Sequence, residues 1–215
     1  GSEMCIRDRT RIAGSIAAGA LDEVSKIVKP GISTNEIDKT CYEYINDHKA
    51  YSAPLYYRGF PKSCCTSVNH VVCHGIPSEK ILRDGDIMNV DVTALKEGWH
   101  GDTSRMFKVG EVSVKAEKLI QTTYEAMMKA IKVVKDGVLL GDIGSAIQSH
   151  VESNGFSVVQ DFCGHGIGKK FHEEPTILHF GKKGTGEKIK AGMIFTIEPM
   201  INLGNYETKT LNDGW

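Results

Sequence analysis

ALDEVSKIVKPGISTNEI, residues 20–37, returns 106 positions later as AMMKAIKVVKDGVLLGDI, residues 126–143. Val28-Lys29-x-Gly31 aligns with Val134-Lys135-x-Gly137, and Ile37 aligns with Ile143. Each copy has apolar residues at helical spacing, a stop at a Gly-containing turn, and the start of a second helix. Shared helix-turn-helix character alone can produce such similarity. The match continues, however: KILRDGDIMNVD (80–91) resembles KIKAGMIFTIE (188–198). Gly85 precedes Asp91 by six residues, and Gly192 precedes Glu198 by six. Helix, turn, helix and a Gly-led strand ending in a carboxylate, all occurring twice, predict two related α/β halves, about 10–110 and 115–215. Their equivalent strands each present an acid, so a site is expected at the seam of one domain spanning 1–215.

The remaining elements follow from local patterns. Ile12, Ile16, Ala20 and Val24 predict a helix over 10–28, ended by Lys29-Pro30-Gly31. Ser33 and Glu36 form a capping box for a helix to about His48. Residues 52–78 are mixed, with Pro54, Pro61 and Pro77 and short β-rich pieces at Thr66–Val68 and Val71–Cys73. Residues 86–95 and 99–109 read as a hairpin reversing at Lys96-Glu97-Gly98. In the second half, Leu119, Thr123, Met127, Ala130/Ile131 and Val134 predict a helix over 116–135, and another is expected over 141–153. β-rich pieces at 156–163 and 193–201 flank a Gly/Lys-rich loop at 181–190.

Composition narrows the class. The 215 residues are 40% hydrophobic and 25% charged, ordinary for a globular chain, and the net charge is -1. Nothing basic is available to attract nucleic acid or an anionic membrane. No window approaches the ~20 apolar residues of a membrane span, and no secretory signal is visible. The six cysteines, at 5, 41, 64, 65, 73 and 163, form no CxxC pair. Free thiols in a reducing cytoplasm are expected.

The chemistry lies in the polar residues of apolar runs. Asp91 follows Ile87-Met88-Asn89-Val90, and the hairpin brings Asp102 onto the neighbouring strand. Glu198 ends the run Met193–Ile197, which is expected to be buried. A buried carboxylate needs a partner, a proton or a cation. Gly164-His165-Gly166-Ile167-Gly168 lacks the GxxxxGK[ST] of a phosphate loop, and its glycines are expected to admit a ligand close to the backbone. His172 follows seven residues on, before Glu173-Glu174-Pro175, and His74 ends another apolar run. Asp91, Asp102, His165 and Glu198 make an oxygen-rich set with one imidazole, suited to Co, Mn, Fe or Zn. Carboxylates can bridge paired ions ~3.5–4 Å apart, a recurrent hydrolytic device. Buried salt bridges would need several cations, and these runs contain only Arg105. A serine triad finds no GxSxG. Cys73 beside His74 is a poor nucleophile–base pair, because strand neighbours face opposite ways.

These motifs carry a family resemblance over nearly the whole chain. PKSCCTSVN (61–69), VVCHGIP (71–77), DGDIMNVDVT (84–93), HGDTSRMF (100–107), CGHGIG (163–168), FHEEP (171–175), FTIEPM (195–200) and the closing DGW (213–215) resemble, in order, segments of type I methionine aminopeptidases. The resemblance implies an α+β pita-bread fold, two pseudo-symmetric α/β halves around a curved antiparallel sheet. It implies removal of the initiator methionine from nascent polypeptides with a small second residue, using two divalent metal ions and a water. Asp91 looks like a terminal ligand of one ion, Asp102 like a bridging ligand, and His165 and Glu198 like ligands of the other. His74 and His172 look like catalytic groups at the scissile amide, with Glu198 counted beside them. Tyr57, Phe60, Cys65, Phe171 and Trp215 resemble the methionine side-chain pocket, and Asn69 and Val71 part of a monovalent-cation site. A cytoplasmic monomer that meets the ribosome is implied.

The chain also departs from the family pattern. Asn69-His70 replaces Asn-Glu, Arg58 stands where a histidine is common, and the start GSEMCIRDR is atypical. The family continues past the position of Trp215 with a strand carrying one more bridging glutamate. The expectation is therefore a C-terminally truncated chain with four of five ligands and weakened metal binding. The competing readings are a pita-bread binding module that has lost catalysis and a related Xaa-Pro peptidase, for whose extra N-terminal domain the chain has no room.

Overall fold

The computed structural model describes residues 3–215, so Gly1 and Ser2 of the atypical start lie outside the described residues. The chain divides into two compact units. The first is residues 1–113 with 168–171 and 212–215; the second is 114–167 with 172–211.

The first unit opens with α1 (Glu3–Ile27) and α2 (Thr34–Asp47). The capping box at Ser33 forms as expected: Glu36 N–H donates to Ser33 Oγ at 3.2 Å, and Ser33 N–H donates to Glu36 Oε2 at 2.8 Å. β1 (Tyr51–Ser52), β2 (Cys65–Val68), β3 (Ile87–Lys96) and β4 (Trp99–Lys108) form an antiparallel sheet. β4 runs along one edge of β3, and β1 and β2 share the other. Lys96 pairs with Trp99, which leaves a two-residue loop. Glu97 (φ 50°) and Gly98 (φ 79°) both adopt the left-handed backbone that a tight hairpin demands.

Side chains alternate across this sheet. Val68, Met88, Val90, Val92, Ala94 and Phe107 point to one face and join α1 and α2 in the core. The α1 stripe is Ala13, Ile16, Ala17, Ala20, Leu21 and Val24. Ile12, placed in that stripe from sequence, is 49% exposed. The helix rolls its small residues onto the sheet because the approach is close: a Cβ on Gly101 of β4 would lie 2.1 Å from Gly14 N. The β-rich piece at Val71–Cys73 is not a strand. It lies between Asn69 (φ 54°) and His74 (φ 55°), whose left-handed conformations break an extended run.

The second unit repeats the opening pattern. α3 (Val114–Val133) and α4 (Leu140–Ser153) end and begin 106 residues after α1 and α2. Ile131, expected inside, is 45% exposed, and Thr122, Ala126 and Ala130 form the buried stripe. Gly31 (φ 97°) and Gly137 (φ 86°) make the same turn. Gly31 N–H donates to Leu82 O at 2.8 Å, and Gly137 N–H to Ile189 O at 2.9 Å. Leu82 N–H answers to Ile32 O, as Ile189 N–H does to Val138 O. Short antiparallel pairs complete the unit: β5 (Ser157–Val158) with β8 (Ile201–Asn202), and β6 (Gly164–Gly166) with β7 (Glu173–Ile177). Its core gathers Ala126, Ala130, Ile143, Ile147, Val151 and Ile177.

The expected strand at 193–201 is reduced to β8 and an extended run, and Met193–Glu198 are half-buried rather than buried. That run hydrogen-bonds to β6 through Thr196 N–H to His165 O (2.9 Å) and Ile167 N–H to Ile194 O (3.1 Å). Met193, Phe195 and Ile197 pack against the second core from partly buried positions.

Candidate metal centre

In the first unit the polar sequence-predicted residues share the sheet face opposite the core. Asp91 pairs with Cys65 on β2 and with Ser104 on β4, while Asp102 pairs with Thr93. Cross-strand partners, and residues two apart, point the same way, so Cys65, Asp91 and Asp102 lie on one face. Burial pushes the Cys65 thiol well above its ordinary range, and the charges of Asp91, Cys73 and Asp102 push the same way. Both acids are half-buried, less than the sequence suggested, because this face is not packed by helices. Asp38 fixes the entry to β2, accepting from Ser63 N–H (2.8 Å), Ser63 Oγ (2.6 Å) and Cys64 N–H (3.1 Å).

His74 is held by its neighbour. Gly75 packs so closely on β2 that a Cβ there would lie 2.1 Å from Thr66 O. Thr66 N–H donates to Gly75 O at 2.8 Å, and Gly75 N–H to Ser67 Oγ at 3.1 Å. Burial pushes the His74 imidazole below its ordinary value, favouring the neutral ring. The predicted pocket residues meet in two groups. Trp215 contacts Phe60 (5.1 Å between centroids) and His74 (5.9 Å), both edge-on. Phe171 lies 4.9 Å from Tyr57 and stacks on His100 at 5.7 Å. His100 escaped the sequence reading; it is buried, and its Nδ1 donates to Gly168 O at 2.9 Å.

In the second unit, His165 on β6 and Glu198 come together, with His165 Nε2 3.4 Å from Glu198 Oε1. The flanking glycines serve the sheet rather than a ligand. A Cβ on Gly164 would lie 2.4 Å from Thr196 O, and one on Gly166 2.1 Å from Glu174 O. His172 stands beside His165, with ring centroids 4.2 Å apart. His165 Nδ1 lies 3.0 Å from Gly166 O. A carbonyl only accepts, so Nδ1 carries a proton and Nε2 is the ring nitrogen turned toward the carboxylate. Nε2 and Oε1 at this distance can be joined by a shared proton or by a cation. Half-buried nitrogen and oxygen donors suit a divalent transition ion, so the residues present fit a metal.

Two further residues were missed in the sequence. Thr196 Oγ1 accepts His165 N–H at 3.0 Å and donates to Glu198 Oε1 at 2.5 Å. His179 Nε2 accepts Glu198 N–H at 3.1 Å. His179 is fully buried, and desolvation pushes it down to about 4, so the ring is neutral. The available signal was alternation: Ile177 and His179 point in, while Leu178 is 44% exposed. The described cysteines Cys41, Cys64, Cys65, Cys73 and Cys163 are free thiols, and among the described residues no helix is long and apolar enough to cross a membrane.

Comparison with known proteins gives a consistent picture. The model of the family described as metallopeptidase family M24 matches residues 8–215. A methionine aminopeptidase of Rickettsia prowazekii is 56% identical over 208 residues, covering 96% of this chain and 80% of that protein. One from Escherichia coli K12 is 52% identical over 210 residues, covering 97% and 80%. The crystal structure of the Rickettsia prowazekii methionine aminopeptidase superposes with a TM-score of 0.97 at 54% identity, covering 99% of this chain and 86% of that one. An X-Pro aminopeptidase from Thermotoga maritima shares the fold at 23% identity and TM-score 0.76, covering 91% of this chain and 53% of that one.

Proposed function

The chain belongs to metallopeptidase family M24, and from that premise we propose that it hydrolyses the bond after an N-terminal methionine, in peptides and nascent proteins whose second residue is small. It is a methionine aminopeptidase, a metal-dependent hydrolase with the α+β pita-bread fold of that family. The observation that carries the site is the His165 Nε2 and Glu198 Oε1 pair, 3.4 Å apart, with the other ring nitrogen already committed to Gly166 O.

Asp91, Asp102, His165 and Glu198 are the ligands in this reading, for two divalent ions. When bound, such ions activate water and polarise the scissile carbonyl. The protein's own groups do the rest. His74, its neutral ring favoured by burial, donates a hydrogen bond to the scissile amide, and His172, beside His165, is the second such group in this reading. Tyr57, Phe60, Cys65, Phe171 and Trp215 take the methionine side chain, since aromatic rings and sulfur suit a thioether. A monovalent cation near Asn69 and Val71 completes the ion set. We further infer a cytoplasmic monomer that meets nascent chains at the ribosome.

The test is methionine release from Met-Ala and Met-Gly peptides, with Co2+ or Mn2+ binding followed in parallel. Release that Asp102→Ala abolishes is the expected result. If metal binds but neither this chain nor one extended to its relatives' length releases methionine, the enzyme reading fails. Near-normal rates in Asp102→Ala would remove its role as a ligand.

A further inference from the structure

Three features stand outside the proposed chemistry: the buried thiols Cys41 and Cys64, the carboxylate of Asp38 at the start of β2, and His179. The thiols are sealed in the core, and Asp38 Oδ1 already accepts from Ser63 N–H, Ser63 Oγ and Cys64 N–H. His179 is different, because its burial is costly. Its Nε2 accepts one hydrogen bond, while its Nδ1 has no partner among the described residues. A buried donor without a partner is destabilising. A leucine of similar size would avoid that cost, so packing alone does not explain an imidazole here.

What the imidazole does is hold Glu198. Its Nε2 accepts the Glu198 main-chain N–H at 3.1 Å, and Thr196 Oγ1 donates to the carboxylate at Oε1 at 2.5 Å. Thr196 also accepts the main-chain N–H of His165 at 3.0 Å, so its hydroxyl is tied to both members of the pair. The His179 segment is itself seated firmly, since Gly144 of α4 leaves only 2.3 Å between a hypothetical Cβ and Phe180 O. We propose that His179 and Thr196 are positioning residues that fix the Glu198 main chain and carboxylate for a divalent ion. This rests on the reading of Glu198 as a metal ligand. Groups that orient ligands in this way typically carry about 10–100-fold of metal affinity.

The test is calorimetric titration of the 215-residue chain with Co2+, following its visible absorption and the thermal midpoint of the apo protein. His179→Leu and Thr196→Val should each weaken Co2+ binding about 10–100-fold. His179→Leu removes the unpartnered nitrogen but also leaves the Glu198 N–H without its acceptor, so its midpoint is read in parallel to separate lost stability from lost metal affinity. His179→Gln, which keeps an acceptor near the Nε2 position, and Thr196→Ser, which keeps the hydroxyl, should bind close to the unsubstituted chain. Glu198→Ala separates the two layers of the argument. If it binds Co2+ normally, the ligand reading is wrong and the positioning role falls with it. If it loses Co2+ while His179→Leu and Thr196→Val keep full affinity, only the positioning proposal is overturned. Should His179→Leu fail to fold, Thr196→Val at its half-buried position decides the question.

Discussion

Gly14 and Gly101 face each other where α1 crosses β4, and the same substitution should have opposite effects at the two positions. A Cβ on Gly101 would sit 2.1 Å from Gly14 N, 2.4 Å from Ala13 C and 2.5 Å from Gly14 Cα. Ordinary contact is ~3.5–4.0 Å, so the helix would have to retreat by more than about 1 Å. Overpacking costs about 1–3 kcal/mol, and the upper end applies because the atoms struck are main chain rather than a movable side chain. In a chain of this size each kcal/mol shifts the thermal midpoint by about 2–4 °C, which places Gly101→Ala about 6–12 °C below the unsubstituted protein. A Cβ on Gly14 meets nothing within 4 Å. Gly14→Ala should therefore gain about 0.5–1 kcal/mol from helix propensity, or about 1–4 °C. Circular dichroism melts of both variants supply the measurement. Asp102 follows Gly101, so the Gly101→Ala protein should also bind Co2+ less tightly. A Gly101→Ala protein with an unchanged midpoint and unchanged Co2+ affinity would refute the close-approach argument.

Other perturbations follow from the same contacts. Leu21→Ala, at a side chain 1% exposed in the first core, should cost about 3–5 kcal/mol in urea unfolding. Ser33→Ala removes the side-chain half of the capping box and should cost about 1 kcal/mol by the same measurement. The Ser33 main-chain and hydroxyl hydrogen bonds hold the Glu36 carboxyl below its ordinary 4.5, so its stabilisation is complete above that value and is lost as pH falls through the lowered one. Glu36→Gln should remove that part of the acid sensitivity, visible as a flatter dependence of the urea midpoint on pH. Glu97→Asn should stabilise the hairpin by about 1 kcal/mol, because asparagine tolerates the left-handed backbone that Glu97 is forced into; a lower melting midpoint would count against the turn assignment.

Much of this was legible in the sequence wherever the signal was local or repeated. The turn at Gly31 recurs at Gly137 because both need left-handed backbone, and glycine announces that need. The hairpin was readable because alternation and a two-residue Gly-containing break agree. Helix faces were harder. Ile12 and Ile131 fit an apolar stripe by spacing but point outward, since the packed stripes are built of small residues that let the backbone come close. The run before Glu198 reads as a buried strand, yet its burial depends on what lies beside it, which no local pattern encodes. The glycines around His165 were correctly seen as making room, but the occupants are the main chains of Thr196 and Glu174, distant in sequence. His179 stayed hidden because alternation gives the period of a strand and not its phase: Leu178 and His179 exchange the places that hydrophobicity assigns them.

The loop at Glu97-Gly98 has a consequence for how this chain tolerates change. Exposed loop tips are ordinarily where insertions and deletions accumulate harmlessly. Here the loop acts as a spacer of fixed length between Asp91 and Asp102, whose shared face depends on Thr93 lying opposite Asp102. Lengthening it by one residue while the tip keeps its two-residue turn would slip β4 by one place and turn Asp102 toward the helices. The short polar tip should therefore accept many substitutions and almost no change of length, whereas the Gly/Lys-rich stretch at 181–190 carries no such constraint on strand register.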